Sequence, residues 1–100
     1  MLVRHALIRL EDGERREARR LELLEELDSL LASLPDVKGY ELGQAFDKAS
    51  LSSWDIVAVI RFDNEAMLAE FGVNPLVSAF TKEALAEGVA CVKAWNFVIR

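Results

Sequence analysis

The sequence predicts an α+β fold: a four-stranded antiparallel sheet with ferredoxin-like split βαβ connections, pairing with a second copy of itself. Three observations lead there. The hydrophobic pattern gives the order strand, helix, strand, strand, helix, strand, which is the split arrangement of that fold. The first, third and last strands are apolar on both faces, although helices cover only one face of such a sheet. Finally, 52% of the 100 residues are hydrophobic, above the roughly 45–50% of ordinary soluble domains. A chain this short hides a smaller share of its surface than a longer one. A second copy is the simplest cover for the excess, because two-fold dimers are the commonest oligomers.

Residues 2–10 read as the first strand, closed by the polar break Glu11-Asp12-Gly13. Residues 14–34 predict a helix. Leu24, Leu27, Leu31 and Leu34 recur at steps of three and four, Leu23 and Leu30 widen the stripe, and Glu25, Glu26 and Asp28 face water. Pro35 cannot extend that helix. Residues 37–46 form the second strand, with Tyr40, Leu42 and Phe46 in alternation and Gly43 marking a bulge or a close backbone approach. Residues 47–53 are small and polar and read as a loop. Residues 54–62 are a third strand with the apolar centre Ile56-Val57-Ala58-Val59-Ile60.

Asp63 or Asn64 suits the cap of a short helix to Phe71, with Gly72 as its stop. Asn74 then caps a second helical segment with Pro75 in its first position, ending near Glu87 and Gly88. Residues 89–99 are the closing strand. There is no repeat, low-complexity segment or linker, so residues 1–100 read as one domain.

Composition narrows the function classes. The net charge is −5, which is not the electrostatic footprint of a nucleic-acid binder. No apolar run approaches the roughly 18 residues of a membrane-spanning helix, and the first residues lack the pattern of a secretory signal. Cys91 is the single cysteine, so neither an intrachain disulfide nor a cysteine metal cluster forms within one chain. His5 is the single histidine, too few for a metal site of three or four ligands. These features lead us to expect a cytoplasmic protein with no nucleic-acid or membrane partner, no metal and no cofactor.

Four stretches, taken in order, carry a resemblance. They are Val3-Arg4-His5-Ala6-Leu7-Ile8, then residues 54–66, then Phe71-Gly72-Val73-Asn74-Pro75-Leu76-Val77-Ser78-Ala79-Phe80, and finally Ala94-Trp95-Asn96-Phe97. Together they resemble the stress-responsive A/B barrel (Dabb) family across essentially the whole chain. The resemblance implies a dimeric α/β barrel built from two sheets packed face to face. It also implies a pocket between sheet and helices, in which one member acts as a cofactor-free polyketide cyclase through a tyrosine and a histidine. Here those positions hold Phe71 and Val77, and Asn74 replaces the first histidine of the His-Pro-x-His pattern. His5 alone survives of the polar set, on a strand face that the resemblance turns toward the pocket. Asn96 stands where an aspartate is common.

Two readings of the candidate site follow. In the first, Leu7, Leu23, Leu24, Leu27, Ala58, Phe71, Val77, Phe80, Val92 and Ala94 line an apolar cavity for a small apolar or aromatic molecule. The bland version of this reading is ordinary core packing. In the second, His5 is the general base of a cofactor-free enzyme on a carbonyl-containing substrate, since its reference pKa of about 6.5 suits proton transfer. Its bland version is a half-buried, hydrogen-bonded histidine. A third possibility, a large protective assembly, rests on the family resemblance alone. Arg15, Arg16, Arg19 and Arg20 read as a solvated face offset by Glu14, Glu17 and Glu22. Cys91 reads as structural, and Trp54, Trp95, Phe97 and Tyr40 as sheet-face packing at the dimer interface.

Overall fold

In the computed structural model, which describes residues 1–100, four strands form one antiparallel sheet. They are β1 (Leu2–Leu10), β2 (Gly39–Gln44), β3 (Ile56–Phe62) and β4 (Val89–Val98). Their spatial order is β2-β3-β1-β4, so the two strands that begin the halves of the chain's split pattern lie at or beside the centre. The helices are α1 (Arg16–Ser33), α2 (Lys48–Leu51), α3 (Glu65–Val73) and α4 (Pro75–Glu83). No helix is long and apolar enough to cross a membrane.

The pleat divides each strand between two faces. In β1, Leu2, Ala6, Ile8 and Leu10 pack with the helices. Val3, His5, Leu7 and Arg9 point the other way, because alternate residues of a strand face opposite sides. The α1 stripe is centred on Leu23, Leu27, Leu31 and Leu34, all buried, while Leu24 and Leu30 are half-buried at its margins. Two apolar clusters result. One joins Leu31 and Leu34 to Ala58, Ile60, Phe62 and Phe71. The other joins Leu23 and Leu27 to Ile8, Leu10 and Ile56.

Several local expectations are corrected. Residues 47–53 are not all loop: Asp47 accepts a hydrogen bond from the Ser50 N–H at 2.8 Å and caps the single turn α2. Gly72 does not stop α3 but lies within it. Asn74 does that work instead. Preceding Pro75, it is pushed out of the helical region and takes φ −64° and ψ 128°. Its N–H still bonds to the Phe71 carbonyl at 3.3 Å, and its side chain accepts from the Leu76 N–H at 2.8 Å. One residue therefore closes α3 and opens α4. That second helix ends at Glu83 rather than near Glu87. Gly88, at φ +69°, then turns the chain into β4.

Gly43 marks a close approach and not a bulge. A Cβ there would lie 3.1 Å from Val57 Cγ1, while the register with β3 runs unbroken. The irregularity falls instead between Arg9 and Leu10, where β1 meets β4.

Candidate functional site

A cavity of about 160 Å³ lies between the sheet and α1, α3 and α4. Its floor follows from the register. Ala6 sits directly opposite Ala58 on β3 and Ala94 on β4. Residues opposite one another share a face, so three of the smallest side chains form a row across the three strands at the middle of the helix-covered face. Close packing ordinarily fills such space. Along this row no large side chain rises, Ile8 and Ile60 flank it from the same sheet face, and Leu27, Leu30 and Leu31 of α1 with Phe71, Val77 and Phe80 form walls and roof. Val92, 41% exposed, opens one side at the edge strand β4. Thirteen of the fifteen lining residues are hydrophobic, and the two exceptions are Arg4 and Thr81.

Leu27, Ala58, Phe71, Val77, Phe80, Val92 and Ala94 all border this cavity. The other sequence-predicted residues do not. Leu23 is fully buried against Ile8, Leu10 and Ile56 in the neighbouring cluster. Leu24 lies at a shallow surface depression with Tyr40 and Leu42. His5 and Leu7 are on the opposite face of the sheet, beside Val59 and Trp95 and beside Val57 and Lys93 respectively. The reason is the period of the strand: the cavity lies over the even-numbered residues of β1 and His5 is odd. The expectation that His5 faces the pocket is therefore corrected. Its ring packs instead on Phe97, with centroids 5.4 Å apart.

Arg4 takes the place on the cavity wall that the sequence reading gave to His5. Its Nη1 donates to Asn96 Oδ1 at 3.0 Å, across the β1–β4 pair. No carboxylate lies within ion-pair distance of it. Burial accordingly pulls its pKa below the ordinary value, with no anion to restore it. Thr81 donates its hydroxyl to the Val77 carbonyl within α4 at 2.9 Å.

The arginine cluster is not a solvated face. Asp55, fully buried at the entrance to β3, accepts from the Leu10 N–H at 2.8 Å and from Arg16 through Nε and Nη2, both at 3.0 Å. Arg20 adds contacts at 3.3 and 3.4 Å. Burial alone would raise the Asp55 carboxyl, but the hydrogen bonds from Arg16 and Leu10 outweigh it and hold the group below its ordinary range. Arg19, 5% exposed, donates to the Ala84 and Glu87 carbonyls in the turn that follows α4, where the Ala84 carbonyl also accepts from the Glu87 N–H at 3.4 Å. Only Arg15 of the four projects into solvent. These contacts fix the start of α1 against β3 and the α4–β4 turn, beside the cavity rather than in it.

The other sheet face is open. Val3, His5, Leu7, Val57, Val59, Trp95 and Phe97 occupy it; Val3 is buried among them, whereas Trp95 and Phe97 are 49% and 48% exposed. Tyr40, expected with them, faces the helices instead and donates its hydroxyl to Asp28 Oδ1 at 2.6 Å. Trp54 precedes β3 and lines a surface hollow with Phe46 and Ser50.

Comparison with known proteins agrees with this architecture. The sequence matches the family model of the Stress responsive A/B Barrel Domain over residues 2–98. A Dabb family protein with a ferredoxin-like fold from Mesorhizobium loti superposes with a TM-score of 0.80 at 14% identity, over 99% of this chain and 97% of that one. A dimeric ferredoxin-like protein of unknown function from Thermobifida fusca gives 0.79 at 25% identity, over 99% and 92%. A protein from Arabidopsis thaliana gives 0.82 at 16% identity, over 100% and 96%. No curated protein matches the sequence.

Proposed function

This chain belongs to the stress-responsive A/B barrel family, and from that premise we propose that it works as a homodimer binding a small apolar or aromatic molecule between sheet and helices. The observation that carries the binding reading is the alanine row under a roof of leucine, valine and phenylalanine. Volume limits the ligand: an apolar cavity of about 150 Å³ holds benzene, so this one suits a single ring or a short acyl chain rather than an extended polyketide. Leu27, Ala58, Phe71, Val77, Phe80, Val92 and Ala94 would make the contacts.

The homodimer reading rests on the open apolar face and on related structures described as dimeric. With 52% hydrophobic residues but 14 of 100 residues buried, one chain leaves much apolar surface wet, and a second sheet would cover it. A cytoplasmic location without nucleic-acid or membrane partners fits the acidic charge and the single cysteine. Catalysis by His5 on a ligand in this cavity has no observation in its favour, since the sheet separates the two.

Toluene tests the binding reading. A ligand that binds only the folded state raises the melting temperature, so saturating toluene should raise it for the native protein and leave Ala58→Leu, whose added side chain fills the floor, unmoved. An equal or absent shift in both proteins would overturn the pocket.

A further inference from the structure

The one charged group on the cavity wall identifies the ligand more closely. We propose that the cavity takes small apolar monocarboxylates, of the size of benzoate or hexanoate, with the carboxylate on Arg4 and the ring or chain over the alanine row. This rests on the pocket reading above and adds its polar half.

The geometry has three parts. Arg4 lies one pleat along from Ala6 on the same face of β1, so its guanidinium borders the same space that the three alanines leave empty. It is a half-buried cation whose single side-chain hydrogen bond goes to a neutral acceptor, the Asn96 carbonyl oxygen, and occupies one of its five N–H donors. The other arginines near the helix-covered face are already committed. Arg16 and Arg20 bind Asp55, and Arg19 binds backbone carbonyls and Glu22. Arg4 alone combines partial burial, free donors and an apolar void beside it. A guanidinium presents a planar fork that matches a carboxylate in two parallel hydrogen bonds. Partial burial strengthens such a pair relative to one in bulk water. A neutral ligand of the same shape would leave those donors unmatched, which is how a polar group in an apolar site discriminates.

The volume sets the other limit. About 160 Å³ accepts one ring or a chain of similar bulk, and excludes long-chain fatty acids unless their tails leave past Val92. Thr81 adds an acceptor to the wall, since its hydroxyl proton is already given to Val77.

Isothermal titration with benzoate and benzyl alcohol separates this proposal from the reading beneath it. The two probes share a ring and differ in charge. The native protein should bind benzoate about tenfold more tightly than the alcohol, the scale of a charge-assisted pair. Arg4→Gln, which leaves the fold's buried ion pairs untouched, should erase that preference while keeping the affinity for benzyl alcohol. Asn96→Asp is the second arm. A carboxylate placed 3.0 Å from Nη1 would occupy Arg4 from within and should also remove the preference for benzoate. Equal affinities for the two probes in native protein and both variants would overturn the carboxylate assignment and leave the apolar pocket standing. Failure of both probes to bind native protein would overturn the pocket, and this assignment with it.

Discussion

Arg4 and His5 are adjacent in the chain and on opposite sides of the sheet, and the two faces they occupy are completed in different ways. The helix-covered face is closed by the chain itself. Leu27, Leu31, Phe71, Val77 and Phe80 come down on it, and Asp55 locks the start of α1 to β1 and β3. Its incomplete feature is a local one, the void over three alanines. The other face carries Val3, His5, Leu7, Val57, Val59, Trp95 and Phe97; Val3 is buried among its neighbours, while Trp95 and Phe97 at the β4 edge are about half exposed. One face is thus a property of each chain, and the other is the face that the proposed homodimer would cover. Stability that comes from the first does not depend on protein concentration, whereas stability from the second does.

Changes to each face should therefore separate in kind as well as in size. The largest effect is expected from Asp55→Ala, which leaves Arg16 and Arg20 without their buried anion and the Leu10 N–H without an acceptor. Removing one partner from a buried pair costs about 3–5 kcal/mol, and urea denaturation should show a loss of that order at every protein concentration. A concentration-dependent loss would place Asp55 in the wrong half of the comparison. The same carboxylate sets an acid limit. Its folded pKa is depressed below the ordinary 3.8, so its contribution is fully present above that value and is lost as pH falls through the lower folded value. Melting temperatures followed from pH 6 to pH 2 should decline on the acid side, and Asp55→Asn should flatten part of that decline.

Next in size is Trp95→Glu on the open face. Central aromatic anchors contribute about 2 kcal/mol or more to an interface, so self-association should weaken about 30-fold or more while circular dichroism of the folded chain stays unchanged. Sedimentation at several concentrations reads this directly, and an unaltered association constant would remove Trp95 from the interface. Ala58→Leu acts on the opposite face. It should abolish stabilisation by toluene and leave self-association as it was. The smallest effect is expected from His5→Ala, which removes a ring contact with Phe97 worth about 0.5–1.5 kcal/mol. Because the contact lies within one chain, that loss should appear in the folding stability of the chain and not in affinity for benzoate. A fall in benzoate affinity would return His5 to the cavity side.

Much of the architecture was legible in the chain because it rests on signals that repeat. Leucine spacing revealed α1, Asn74-Pro75 the junction of α3 and α4, and two-sided apolar runs both the sheet and its uncovered face. The short turn α2 was not visible, since four residues give no periodicity and only the Asp47 cap announces it. The buried role of Arg16, Arg19 and Arg20 was hidden because their partners, Asp55 and the carbonyls of Ala84 and Glu87, are far away in sequence. The cavity lies between these cases. Its walls could be named from apolar residues on the second helical region and the strands. Its floor required the cross-strand register that sets Ala6 between Ala58 and Ala94. Successive residues of a strand face opposite sides, and the resemblance turned the His5 and Leu7 side of β1 toward the pocket, where the register places Arg4 and Ala6.

The division of the sheet into a self-closed face and a shared one is tested most directly by sedimentation equilibrium of the native protein at low micromolar concentration. A species of twice the chain mass, dissociating on dilution and shifted to the single-chain mass by Trp95→Glu, is the expected result. A native protein that remains at the single-chain mass throughout would contradict it, and would mean that Trp95, Phe97 and their apolar neighbours stay in water.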